Sequence, residues 1–146
     1  MPKSLNDWLN EGRKVDTTLR DLFENDVAFT PAAEQCWSFA YALPVICADG
    51  FWISIQASGH HYCRPRNTFE DATAYTAFEL GFPSMPEEVL REYSVKNADD
   101  LVNCVYAYVP RDVVEAMLDR HGGIVALDHS VEHLGVMLKP GHKLND

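Results

Sequence analysis

Basic residues are scarce in this chain: twelve lysines and arginines face 22 aspartates and glutamates, a formal charge of −10 at pH 7. Such a surface repels nucleic-acid phosphates over a Debye length, which argues against direct nucleic-acid binding unless the few arginines cluster. It allows the reverse relation, in which the protein occupies a basic site on a nucleic-acid-binding partner. No apolar run approaches the ~20 residues that span a bilayer, and MPKSLNDWLNEG lacks the apolar centre of a signal peptide. A soluble, cytoplasmic protein without membrane contact is expected. The cysteines, Cys36, Cys47, Cys63 and Cys104, form no C-x-x-C pair and no regular framework, so they read as reduced, mostly buried thiols rather than disulfides. Repeats and low-complexity tracts are missing too. Neither G-x-x-x-x-G-K-[ST] nor G-x-G-x-x-G occurs, which disfavours nucleotide hydrolysis on a familiar phosphate loop.

What is present suits one domain, residues 1–146, able to bury roughly two-thirds of its unfolded surface. Residues 4–25 place Leu5, Trp8, Leu9, Val15, Leu19, Leu22 and Phe23 at helical spacing, with Ser4 as N-cap, Asp7 three residues on and a weak point at Gly12. This N-terminal amphipathic helix, within residues 1–29, would dock on the core or pair with a second subunit as a homodimer. The core, 30–126, begins with a capping signal at Thr30–Glu34 and an aromatic-rich stretch readable as helix or strand. In the following hairpin, Asp49-Gly50 supplies the positive φ angles of the turn; Phe51, Ile53, Ile55 and Ala57 face the core, and Trp52, Ser54, Gln56 and Ser58 are half exposed.

Further strands are expected at Tyr75–Phe82 and Leu101–Val109. A short helix follows a capped start at Pro83–Glu87, and a second helix opens at Pro110 and stops at Gly122-Gly123. His121 there favours the negative end of the helix dipole, and Gly123–Leu127 adds an edge strand. The order implies an α+β fold: a mainly antiparallel sheet of about four strands, helices packed on one face, and a tail at 127–146.

Three constellations could carry chemistry. His129-Ser130-Val131-Glu132-His133 matches the H-x-x-E-H zinc pattern, but only 13 residues follow it, with Asp146 their sole acid, so it lacks the downstream ligand such a site needs. The loop Gly59-His60-His61-Tyr62-Cys63-Arg64-Pro65-Arg66-Asn67 joins imidazoles, a thiol and two arginines. Cys63 would need a basic partner to act as a nucleophile; Arg64 and Arg66 could clamp a phosphate or carboxylate, with His61 and Tyr62 beside them, or pair with nearby acids. Tyr106 and Tyr108, on the strand face of Cys104, read as core. Glu87, Glu88, Glu92, Asp99 and Asp100 cluster around one short helix and are candidates to meet a basic partner. No motif calls for a cofactor, a resident metal or catalytic residues.

The segments SIQAS (54–58), HYCRPR (61–66), YTAFELGFPS (75–84) and VYAYVPRDVVEAMLDRHGGI (105–124) resemble a group of small bacteriophage and prophage accessory proteins. That resemblance implies an anti-defence role in the host cytoplasm, anti-CRISPR-like or sequestering a nucleotide signal. Its partner would be a host protein, such as a nucleic-acid-binding defence complex. The set leans away from an enzyme: a small Cys- or metal-dependent hydrolase ranks below both binding roles.

Overall fold

The computed structural model describes residues 3–16, 39–95 and 100–130. Helix α1 (Leu5–Gly12) starts where the capping signal lies: Ser4 Oγ accepts the Asp7 N–H at 3.1 Å and the Asp7 carboxylate accepts the Ser4 N–H at 3.0 Å. The expected helix over 4–25 stops short, because after Gly12 the chain turns into strand β1 (Arg13–Asp16). A Cβ on Gly12 would sit 3.1 Å from a Leu127 methyl, and the Gly12 carbonyl accepts the Leu43 N–H at 3.0 Å. The helix end is thus pressed onto the sheet and drawn toward β2 (Phe39–Ala42), which pairs antiparallel with β1. The expected continuation through 17–25 and the cap at Thr30–Glu34 lie outside the described residues.

The main sheet has five strands rather than four, all neighbours antiparallel, in the order β6-β5-β4-β3-β7. They are β3 (Val45–Cys47), β4 (Trp52–Gln56), β5 (Ala77–Gly81), β6 (Val105–Pro110) and β7 (Ile124–Leu127), with helix α2 (Arg111–Arg120) between the last two. The β3–β4 turn differs from expectation in one respect: of Asp49 and Gly50 only the glycine has positive φ, +94°. The Gly50 N–H bonds the Cys47 carbonyl at 2.9 Å and the Cys47 N–H bonds the Phe51 carbonyl at 2.7 Å, a three-residue turn closed by a left-handed glycine.

One face of β4 is core as expected: Phe51, Ile53, Ile55 and Ala57 are buried with Leu5 and Leu9 of α1 and Val114, Met117 and Leu118 of α2. On the other face Trp52 is exposed, at 37%, but the rest is a correction. Ser54, Gln56 and Ser58 are 1%, 3% and 0% exposed rather than half exposed. Burial is tolerated there because Gln56 acts as a polar bridge to β2, its Oε1 accepting the Ala42 N–H and its Nε2 donating to the Ala42 carbonyl, both at 2.7 Å.

Helix α2 ends as the glycine pair implies: Gly122 and Gly123 take φ of +89° and +82°, and their N–H groups bond the carbonyls of Asp119 and Leu118 at 3.0 and 2.9 Å. The expected short helix after Pro83 is a 3₁₀ helix, Glu88–Tyr93, without a side-chain cap. Ser84, which would have capped it, spends its hydroxyl on the Trp52 N–H at 2.9 Å. Two arginines bind the long β4–β5 loop to the core. Arg111 donates to the carbonyls of Tyr75 and Ala72 and to Asn6 Oδ1; Arg13 donates to the carbonyls of Glu70 and Ala57 and to the Tyr75 hydroxyl.

Replacing Gln56 with leucine strands the Ala42 N–H and C=O in an apolar setting. A loss of about 1–3 kcal/mol per orphaned group is expected, read as a lower urea midpoint with an unchanged slope.

Candidate functional site

The loop that leaves β4 turns at once. Ser58 accepts the His61 N–H on its carbonyl at 3.1 Å and the His60 N–H on its hydroxyl oxygen at 3.1 Å. This tight turn sends His61 inward, 3% exposed, with Nδ1 2.7 Å from Ser58 Oγ and its ring edge-on to Tyr41. Cys63 is also internal. Its thiol donates to the Ser58 carbonyl at 3.2 Å and lies 3.4 Å from the Pro65 carbonyl. Burial pushes that thiol's pKa up, so it stays protonated, the opposite of what a nucleophile requires. Ser58, His61 and Cys63 serve as struts of the turn.

The outward side chains form a different arrangement. Tyr62 is fixed at both backbone ends: its N–H donates to Glu79 Oε1 at 3.2 Å and its carbonyl accepts the Tyr108 N–H at 3.0 Å. Arg64 is bridged to Ala77 of β5, donating to that carbonyl at 3.0 Å and accepting the Thr76 N–H at 2.8 Å. Tyr108 sits within a register shift in the β5–β6 pairing, between Tyr106 and Val109, and takes a φ of +55°, rare for a bulky residue. That irregularity breaks the alternation of β6, leaving Tyr106 buried and Tyr108 half-buried beside Tyr62.

These residues make a four-layer ladder. The Arg66 guanidinium lies 5.2 Å from the Tyr62 ring centre, Tyr62 is 5.9 Å from Tyr108 at 47°, and the Arg64 guanidinium lies 4.7 Å from Tyr108. Each contact is a cation–π or tilted aromatic contact. Tyr62 is 41% exposed and both arginines are exposed. Among the described residues no carboxylate lies within salt-bridge distance of either guanidinium, although acids outnumber bases almost two to one. Of the four residues the sequence singled out for ligand contact, Arg64, Arg66 and Tyr62 come together on the surface, and His61 faces inward. Tyr108, read from sequence as core, joins them. Its signal was hidden because nothing in VYAYVP marks where the strand slips register.

The acidic candidates separate. Glu88 grips Arg91 through two bonds of 2.8 and 2.9 Å, which lower its pKa, and Asp100 accepts the Val102 N–H and the Asn103 amide. Glu92 is exposed and Asp99 lies outside the described residues. Glu87 is turned inward, 12% exposed, against His121 and Arg120. His129 is exposed, whereas Glu132, His133 and Asp146 lie outside the described residues; among those described, no three His, Cys, Asp or Glu side chains are grouped to hold a metal. No described helix is long and apolar enough to cross a membrane.

Alkylation at pH 8 followed by peptide mapping checks the state of the thiol. Cys63 of the folded protein is expected to label at a small fraction of the rate seen in the denatured chain, and fast labelling would show an accessible thiolate. No family model, curated protein or solved structure matches this chain.

Proposed function

We propose that the protein is a non-enzymatic binding module that captures an anionic, flat aromatic ligand of the nucleotide class on the Arg66–Tyr62–Tyr108–Arg64 ladder. The observation that carries this reading is the pair of exposed guanidiniums stacked on tyrosines and left without carboxylate partners among the described residues. A phosphate meets a bidentate donor in each guanidinium, and a base finds π faces already held in place by backbone hydrogen bonds. Fixing the rings before the ligand arrives reduces the entropy lost on binding. The net charge opposes long-range attraction of an anion, but within a Debye length of ~8–10 Å the two local cations dominate. With Cys63 protonated and Ser58 buried in its turn, the loop is suited to holding a ligand rather than reacting with it. In a phage setting such a module would sequester a nucleotide signal of host defence.

A second reading, a charge-bearing inhibitor of a basic host surface, is favoured by the 3₁₀ helix Glu88–Tyr93. Exposed Glu88 and Glu92 stand there with Val89, and Met85 is exposed just before it, a mixture of apolar and acidic groups suited to a basic partner.

Thermal unfolding against mono-, di- and cyclic nucleotides tests the first reading. A ligand at 100 times its Kd adds about 2.7 kcal/mol, a rise of roughly 5–10 °C for a domain of this size. Arg64→Ala and Arg66→Ala are each expected to weaken binding by about 1 kcal/mol, on the order of fivefold, without lowering the melting point of the free protein. A flat response to every nucleotide rejects this reading. Loss of host-partner capture by a Glu88→Lys, Glu92→Lys, Asp100→Lys variant would then support the second.

A further inference from the structure

We propose that Asp49, His121 and Glu87 form a proton-operated clasp, closed while the imidazole is doubly protonated and opened at the β3–β4 turn when it loses a proton. His121 caps the C-terminus of α2 with its ring stacked flat on Phe51, centres 3.9 Å apart and planes 6° from parallel. Its Nδ1 meets Asp49 Oδ2 at 2.6 Å, and its Nε2 meets Glu87 Oε1 on the opposite side. One ring therefore joins the hairpin turn, the end of α2 and the segment leading into the 3₁₀ helix. The surrounding backbone is close-fitting: the Asp49 N–H donates to the His121 carbonyl at 3.2 Å, the Ala48 N–H to the Gly123 carbonyl at 3.0 Å, and a Cβ on Gly122 would lie 2.8 Å from Ala48 Cβ.

Hydrogen-bond capacity decides the protonation state. A neutral imidazole has one donor and one acceptor, so it cannot donate to two carboxylates at once; only the imidazolium satisfies both. Opposed carboxylates also leave no shared coordination point on the ring for a metal. The other titratable groups nearby are Arg120, 3.5 Å from the second Glu87 oxygen, and the Cys47 thiol, pushed up to about 11 by burial and then by Asp49. Lys3, Glu115 and Asp119 line the adjoining groove of about 450 Å³ at Gly122 and Gly123. Burial alone would lower the His121 pKa, but the hydrogen bonds and charges of Asp49 and Glu87 together raise it. The Asp49 pKa is lowered by the Phe51 N–H first and by His121 second.

His121, raised above its unfolded value of about 6.5, contributes stability that is fully present below pH ~6.5 and is lost as pH rises through the folded pKa. Asp49, lowered, contributes stability present above its unfolded value of about 3.9 and lost as pH falls through its folded pKa. The clasp is closed between the two folded values. On its alkaline side Asp49 is the partner released, because its side chain is 45% exposed and can rehydrate, whereas Glu87 is 12% exposed and is also held by Arg120.

The test is a pH titration of the ¹⁵N-labelled full chain, following both His121 ring nitrogens and the amides of Phe51 and Gly123. The expected result is titration of both ring nitrogens with one midpoint above 6.5, and Phe51 and Gly123 amide shifts that move with the same midpoint. In Glu87→Gln the midpoint should fall, and in His121→Gln the Phe51 and Gly123 amides should stop titrating over that range. A His121 midpoint at or below 6.5 overturns the proposal, as does a titrating His121 beside unmoved amides. If His121→Gln does not fold, the wild-type and Glu87→Gln titrations decide between these outcomes.

Discussion

From Ile53 onward strand β4 is buried on both faces, and much of the described architecture follows from covering it. Its apolar face belongs to the same hydrophobic core as the leucines of α1 and Val114, Met117 and Leu118 of α2. The face bearing Ser54, Gln56 and Ser58 can be removed from water only if each polar atom finds a partner. Gln56 solves this with a side chain that copies a backbone donor and acceptor and pairs with Ala42 as another strand would. That contact brings β2, and through it β1, against the main sheet. It also accounts for the early end of α1, since the chain after Gly12 is needed as a strand.

The same constraint shapes the candidate site. Because the polar face stays buried to the end of β4, the chain turns sharply at Ser58, sending His61 and Cys63 inward and Tyr62, Arg64 and Arg66 outward. Arg13, Arg111 and the Tyr75 hydroxyl then hold the remainder of the loop with hydrogen bonds to main-chain carbonyls and N–H groups. In a chain so rich in carboxylates, these half-buried arginines are spent on structure, while Arg64 and Arg66 rest on tyrosine faces. The contrast between the two pairs is the reason the ladder, rather than the acidic cluster, carries the functional proposal.

At the other end of the sheet, the His121 contact closes the β3–β4 turn onto the end of α2 by charge and stacking. Glu87 shows how far a side chain's role depends on its neighbours. From sequence it is one of several surface acids near a short helix; in the fold it is nearly buried and bound to a histidine 34 residues away. Glu88, the next residue, keeps a solvent-facing role beside Arg91.

The local elements were legible because their causes are local: a capping box at Ser4 and Asp7, a glycine-closed turn at Asp49-Gly50, a proline before α2 and a Gly-Gly stop after it. Alternation along β4 identified its apolar face, and the density of arginine and aromatic residues after it identified the loop to examine. What only the tertiary structure decided were the relations between distant segments: the second burial of β4, the slip of register that brings Tyr108 to Tyr62, and the meeting of Asp49, Glu87 and His121. These depend on which strand neighbours which and in what register. A one-dimensional pattern of propensity and hydrophobicity carries no term for that pairing, so polar residues alternating along a strand look the same whether they face water or a glutamine bridge.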